Sequence, residues 1–281
     1  MGTITFIAVL LAAFLHAGWN ALVKGGRDKQ LNMAAIVIGH MPFALACLAF
    51  VPAPDPASYP YLLAGAALHF GYQLVLLNAY RIGDLSQVYP IARGAAPMIV
   101  ALVSIYYLGI DLPPLAIGAI CLIALAISSL SLVRVGEGQG NRKAAALALL
   151  TGTLIAGYSL VDGTGARLAG TAIGFYSWLT LINGTAFLIF LAIRTPKLLP
   201  ALPRAHTTFW LGGGASFAAY ALVIWSFTQA PIAMVTALRE TSIIFALILG
   251  VVVLKERLNL LKVAATMATI IGVGLLRLAK T

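Results

Sequence analysis

Apolar residues run along this chain in blocks of about twenty, separated by short stretches that hold most of its charges, prolines and turn-forming glycines. Ten such blocks cover residues 3–23, 32–51, 61–80, 84–108, 114–133, 144–163, 171–193, 207–227, 232–254 and 259–278. Each is long enough to cross a hydrocarbon layer of about 30 Å as a helix, which satisfies its own main-chain hydrogen bonds there. The pattern predicts an all-α integral membrane protein with ten transmembrane helices in a lipid bilayer. The connections, from TQAP and RIGD up to RTPKLLPALPRAH, leave no room for a soluble catalytic domain.

Composition agrees. Of 281 residues, 61% are hydrophobic and 9% charged, with a mean hydropathy of +0.99, whereas a soluble domain is about half apolar and about a quarter charged. The formal charge of +10 would suggest nucleic acid in a soluble protein, but in this chain it reports topology and implies no nucleic-acid partner. The connections after blocks 1, 3, 5, 7 and 9, with their flanks, carry thirteen basic residues: Lys24, Arg27, Lys29, Arg81, Arg134, Arg142, Lys143, Arg194, Lys197, Arg204, Lys255, Arg257 and Lys262. The other side carries Arg167, Arg277 and Lys280. Because short basic loops stay on the cytoplasmic side, the expectation is a multi-pass protein of the cell inner (plasma) membrane with both termini outside. The opening MGTITFIAVLLAAFLHAGWN lacks a basic leader region and reads as a retained helix. Cys47 and Cys121 sit inside apolar blocks without CxxC or histidine spacing, so packing is expected of them and no metal site.

The chain also repeats itself. Moved along by the 146 residues that separate Arg93 from Arg239, VYPIARGAAPMIVALVSIYYLGID lies on VTALRETSIIFALILGVVVLKER, and the two arginines coincide. A neighbouring register puts AGWNALVK on AGYSLVDG, so that Trp19-Asn20 falls on Tyr158-Ser159, and Tyr72 matches Tyr220 two residues away from the arginine register. Five spans per copy is an odd number, so the second copy is inverted relative to the first. The expected organisation is two inverted five-helix repeats, residues 1–135 and 136–281, the architecture of many secondary transporters.

With AGWNALVK in the first span, LKERLNLLK closing the ninth and the Gly-rich IIGVGLLRL in the tenth, the whole chain resembles the drug/metabolite transporter superfamily, EamA type. The resemblance implies a ten-helix permease whose central cavity is lined by helices 1, 3, 4, 6, 8 and 9. It also implies a small-molecule substrate, drawn from amino acids, nucleotide sugars, sugar phosphates or cationic drugs. Plastid triose-phosphate translocators in the superfamily hold phosphate with basic side chains on helices 4 and 9, and Arg93 and Arg239 match that placement. Where those proteins have two successive basic residues on helix 9, this chain has Arg239-Glu240. The opening HAGWNALVKGGRD also resembles bacterial permeases associated with phosphonate utilisation.

The residues themselves point to a midplane site. Arg93 lies roughly 14 Å and Arg239 roughly 12 Å into their spans, at a rise of about 1.5 Å per residue. An arginine at that depth costs at least about 2.5 to 3.5 kcal/mol on insertion scales, so each needs an interior partner, either a structural ion pair or an anionic substrate. Glu240, next to Arg239 along the helix, points about 100° away from it. It is placed to neutralise Arg93 across the cavity, to bind the amino group of a zwitterion, or to carry a coupling proton. Trp19, Asn20, Tyr72, Gln73, Tyr158, Ser159 and Tyr220 fall mid-span on helices 1, 3, 6 and 8 and complete a pocket of apolar walls with a few polar contacts. Pro97 has no N–H for the carbonyl of Arg93, and Gly94 loosens the same turn, so a break or hinge is predicted there and none in the ninth span. His16 and His69 are read as structural or as proton relays, Asp162 and Lys24 as interfacial span-end residues, and Lys255, Glu256 and Arg257 as a topology loop. His40 carries no spacing signal.

The expected function is a secondary permease for a small anionic or zwitterionic metabolite, working by alternating access around Arg93 and Arg239, with possible proton coupling. No P-loop is present, no cofactor or metal is implied, and no mid-span nucleophile, base and orienting group suggest an enzyme. The alternatives are an exporter of amino acids, other metabolites or drugs of the same superfamily, or a lipid-linked sugar flippase. The pattern sets no oligomeric state.

Overall fold

A computed structural model describes residues 1–25, 28–82, 85–131, 141–252 and 260–279. Among these are eleven α-helices and no strand: α1 Thr3–Gly25, α2 Lys29–Leu48, α3 Tyr59–Ile82, α4 Leu85–Tyr106, α5 Pro114–Ser129, α6 Arg142–Leu168, α7 Ala172–Arg194, α8 Gly213–Gln229, α9 Ile232–Arg239, α10 Ser242–Val252 and α11 Leu260–Leu278. Helices α1 to α8 correspond to the first eight predicted spans, α9 and α10 together to the ninth, and α11 to the tenth. Eight stretches of the described chain are long and apolar enough to cross a membrane, Ile232–Val252 counting as one, and Pro114–Ser129 is a shorter apolar helix. Arg27, Arg134, Lys255, Glu256, Arg257 and Lys280, the side chains of Lys24, Lys29 and Arg81, and the expected repeat boundary at 135/136 lie outside the described residues.

Polar residues at the block edges fix where several helices start. The Asp28 carboxylate accepts from the N–H of Leu31, the Asn141 side chain from Lys143 and Ala144, and the Thr171 hydroxyl from Gly174, so otherwise unpaired first-turn N–H groups are satisfied. Within the spans the large apolar side chains divide between core and surface. Phe175, Phe187, Phe227, Ile120 and Met234 are fully buried, while Ile4, Ile7, Leu11 and Phe14 form an exposed stripe at helical spacing on α1. In a bilayer that stripe faces acyl chains.

The packing partners exchange when each helix is replaced by its repeat counterpart. α3 packs on α6 as α8 packs on α1; α4 packs on α6 as α10 packs on α1; and α3 packs on α7 as α8 packs on α2. The counterpart pairs α2 with α7 and α5 with α11 pack on each other. This exchange of partners is what a pseudo-two-fold axis relating two copies of five spans would produce.

Polar ties fasten both ends of the bundle. At one end Arg277 donates to the carbonyl of Met1 and the hydroxyl of Thr3 at 2.9 and 2.7 Å, and Arg167 donates to the carbonyls of Phe227 and Ala230 at 2.8 and 2.9 Å. At the other end the Asn141 amide donates to the carbonyl of Ile82 at 2.8 Å, and Thr208 donates to Asn32 at 3.2 Å.

The interrupted span is the ninth, contrary to the sequence-based expectation. α4 continues as an α-helix through both Pro90 and Pro97. A Cβ at Gly94 would meet Ser128 Oγ in steric conflict and the carbonyl oxygen of Ala124 at 2.8 Å, so the glycine lets α4 lie directly on α5. In the ninth span the α-helical ladder stops at Glu240-Thr241. Glu240 and Thr241 donate to Ala237 and Leu238, and Ile243 donates to Glu240 instead of its α-helical acceptor Arg239. The Thr241 hydroxyl also bonds back to the carbonyl of Leu238 at 2.8 Å. Threonine side chains that compete for main-chain acceptors favour helix bends, and this one sits at the interruption, which contains no proline.

Candidate functional site

The break divides the two charges of Arg239-Glu240. Glu240, 3% exposed, turns towards α4 and accepts from Arg93 Nε at 2.9 Å. Arg93, 6% exposed, also donates from Nη2 to Ser242 Oγ at 3.2 Å and lies 5.8 Å from the centre of the Tyr89 ring. A buried ion pair with a supplementary hydroxyl thus joins α4 to the far side of the break. The pair compensates a cation whose isolated burial would be strongly unfavourable.

Arg239, equally buried, turns the other way. Its guanidinium lies 5.3 Å from the centre of the Tyr220 ring, and its Nη1 has no hydrogen-bond partner among the described residues. It forms part of the wall of a cavity of about 120 Å³ that also includes Trp19, Tyr72, Gln73, Tyr158 and Tyr220. Six of the predicted site residues therefore converge on one chamber. Trp19 Nε1 and Gln73 Oε1 are likewise buried without a partner, as is Asn183 Oδ1 on the same wall. Buried polar atoms are almost always paired, so the concentration of unpartnered ones around one space singles it out as the candidate site.

The other predicted site residues lie elsewhere. Arg93 and Glu240 engage each other behind the chamber and are not among its wall residues. Asn20 donates from Nδ2 to the carbonyl of His16 at 2.8 Å, and Ser159, fully buried, donates to the carbonyl of Ile155 at 2.7 Å. Both donate to carbonyls of their own helices. Helices α2 and α7 join the wall through residues such as His40 and Asn183, while α4 does not, so the lining departs from the set of helices implied by the resemblance. Cys47 and Cys121 are free, and no group of metal-ligating side chains forms among the described residues.

Sequence reasoning missed a second cluster. Asp162 is fully buried, not interfacial, because α6 continues to Leu168 and carries it inward. Its Oδ2 accepts from Tyr220 and contacts His69 Nε2, each at 2.8 Å. His69 stacks on Tyr158 at 4.1 Å, Tyr72 approaches the Tyr158 ring edge-on, and Tyr176 approaches the Tyr220 ring edge-on. His16, His40 and His69 all reach the chamber wall. The absence of proline between Gly157 and Gly170 was the available signal for a longer helix, although Gly163 and Gly165 read as a turn.

A sequence model of the EamA-like transporter family matches residues 142–278. The sequence finds no match among curated proteins. The fold is similar to that of a protein solved by crystallography, at 14% identity and a TM-score of 0.71, with 98% of this chain and 96% of that chain covered.

Proposed function

Because the chain belongs to the EamA-like transporter family, and so to a superfamily of multi-pass membrane transporters, we propose that it is a secondary transporter for a small anionic or zwitterionic metabolite. The observation that carries this reading is Arg239, a buried cation with an unpartnered Nη1 on the wall of a 120 Å³ chamber. A guanidinium offers a planar donor pair suited to a carboxylate or phosphonate. Trp19 adds a donor, and Gln73 and Asn183 add acceptors for a substrate amine or hydroxyl. The chamber is small beside the roughly 300 to 1,000 Å³ of drug-sized pockets, which favours an amino-acid-sized solute over a drug or lipid-linked sugar.

In this reading Arg239 anchors the anion, and Arg93 with Glu240 fixes the break that orients Arg239. Residues 1–135 and 136–281 rock about the chamber as inverted repeats. The thirteen-to-three distribution of cations supports an inner-membrane location with both termini outside.

The test is a thermal-shift screen of purified wild type and Arg239→Ala with amino acids, phosphonates, sugar phosphates and organic cations. Anions or zwitterions should stabilise the wild type and fail to stabilise the variant. Stabilisation by organic cations alone would overturn the reading.

A further inference from the structure

The Asp162 cluster contains a carboxylate that the anion site does not use. It is fully buried, and no lysine or arginine forms an ion pair with it among the described residues; its only ion-pair contact is with a histidine. The environment is built to keep it so. A Cβ at residue 65 would collide with Asp162 Oδ1, so Gly65 on α3 closes over that oxygen, which has no hydrogen-bond partner of its own. The other oxygen holds both the His69 ring and the Tyr220 hydroxyl at 2.8 Å. With one proton shared between Asp162 and His69, whichever of them carries it, the pair is neutral. Without that proton it holds one uncompensated negative charge in the middle of the bundle.

We propose that Asp162 and His69 form a proton-binding site, connected to the anion site by Tyr220. The connection is one side chain: the Tyr220 hydroxyl donates to Asp162, and the face of its ring lies 5.3 Å from the Arg239 guanidinium. Any shift of Arg239 on binding an anion moves the ring that supplies one of the carboxylate's two hydrogen bonds. His69 lies on the chamber wall, so the proton arrives from chamber water at the His69–Asp162 pair and leaves to the same water, no other bond being made or broken. This assigns coupling to α3 and α6 and leaves Glu240 as the counter-charge of Arg93. The titratable and charged groups facing the pair are Tyr72 on α3, Tyr158 on α6, Tyr176 on α7, Tyr220 on α8 and Arg239 on α9, with His16 and His40 on the same chamber wall. The coupling to an anion rests on the function proposed above; the proton site does not.

The experiment therefore needs no substrate. Protein labelled with ¹⁵N-histidine is reconstituted in lipid vesicles, and its ring-nitrogen resonances are followed from about pH 5 to pH 8. Of the four histidines, the resonance absent in His69→Gln should titrate. Asp162→Asn should move its midpoint by about one pH unit or more. Tyr220→Phe, which keeps the ring, should move it by about half to one unit, whereas Glu240→Gln and Arg239→Ala should leave the resonance titrating. If Asp162→Asn does not fold, the Tyr220→Phe shift decides. A His69 resonance that does not titrate, or one that responds to Glu240→Gln and not to the Asp162 or Tyr220 variants, overturns the proposal. Failure of every ligand in the thermal-shift screen would sink the anion site while leaving this titration intact.

Discussion

Arg93 and Arg239 occupy matching positions in the two repeats, are equally buried, and have different surroundings. Arg93 is held by Glu240 and Ser242 from the opposite repeat. Arg239 has an aromatic face beside it and an open Nη1 on a chamber wall. The two arginines sit at corresponding positions, and local chemistry gives one of them a counter-ion and leaves the other facing a cavity. A single residue makes the difference. The position that aligns with Glu240 is Gly94, so the first repeat has no carboxylate to offer Arg239 in return.

The comparison can be broken most forcefully at Glu240. Glu240→Ala strands the Arg93 charge in the core and should cost about 3 to 5 kcal/mol, read as a large fall in thermal midpoint and in yield of folded protein. Replacing both partners together, Arg93→Met with Glu240→Leu, should recover most of that loss, since well-packed apolar residues substitute for a buried pair at little net cost. If the double variant is as unstable as the single one, Arg93 does more than balance a charge.

Arg239→Ala should behave in the opposite way. It removes a cation that forms no salt bridge among the described residues and has one open nitrogen, so it should cost far less stability than Glu240→Ala, while affinity for the anion found in the thermal-shift screen should fall about 10- to 100-fold, the worth of a charge-assisted hydrogen bond of about 1.5 to 3 kcal/mol. Isothermal titration of both proteins checks this. Gly94→Ala comes next. It forces a methyl group into Ser128 and the Ala124 carbonyl and should cost about 1 to 3 kcal/mol of stability by displacing α4 from α5. A free hinge at Gly94 would tolerate that methyl group and leave the thermal midpoint unchanged. Ser159→Ala should have the smallest effect, within about 0.5 to 1.5 kcal/mol, with no change in ligand affinity, because its hydroxyl bonds only to Ile155.

Much of this was legible in the sequence. Block length gave the all-helical fold of membrane-spanning length, because hydrocarbon thickness admits little variation, and the packing of counterpart helices agrees with the repeat expected from the alignment of Arg93 with Arg239. The pairing of Arg93 with Glu240 followed from the 100° offset between helical neighbours. The interruption of the ninth span was not legible because that stretch holds no proline and a threonine hydroxyl bonding to its own helix leaves no periodic signal. One lost bond at Pro97 is tolerable where α4 is clamped by close packing at Gly94, whereas the threonine redirects an acceptor in a span already turning. Asp162 was misread for a different reason. Its burial depends on where α6 ends, and a helix end is the least determined feature of an apolar run. His40 gave no periodic signal because it owes its position on the chamber wall to the packing of α2 against α7 and α8.

The ties at the two ends of the bundle have a mechanical consequence. Arg277 and Arg167 fasten one surface, while Asn141 and Thr208 fasten the other. No hydrogen bond is shared between the two sets, so the bonds of one surface can be released while those of the other remain closed. The Arg93–Glu240 and His69–Asp162 contacts lie between them like the pin of a seesaw, and the transport cycle proposed above, never open at both ends, would need that independence of its two latches.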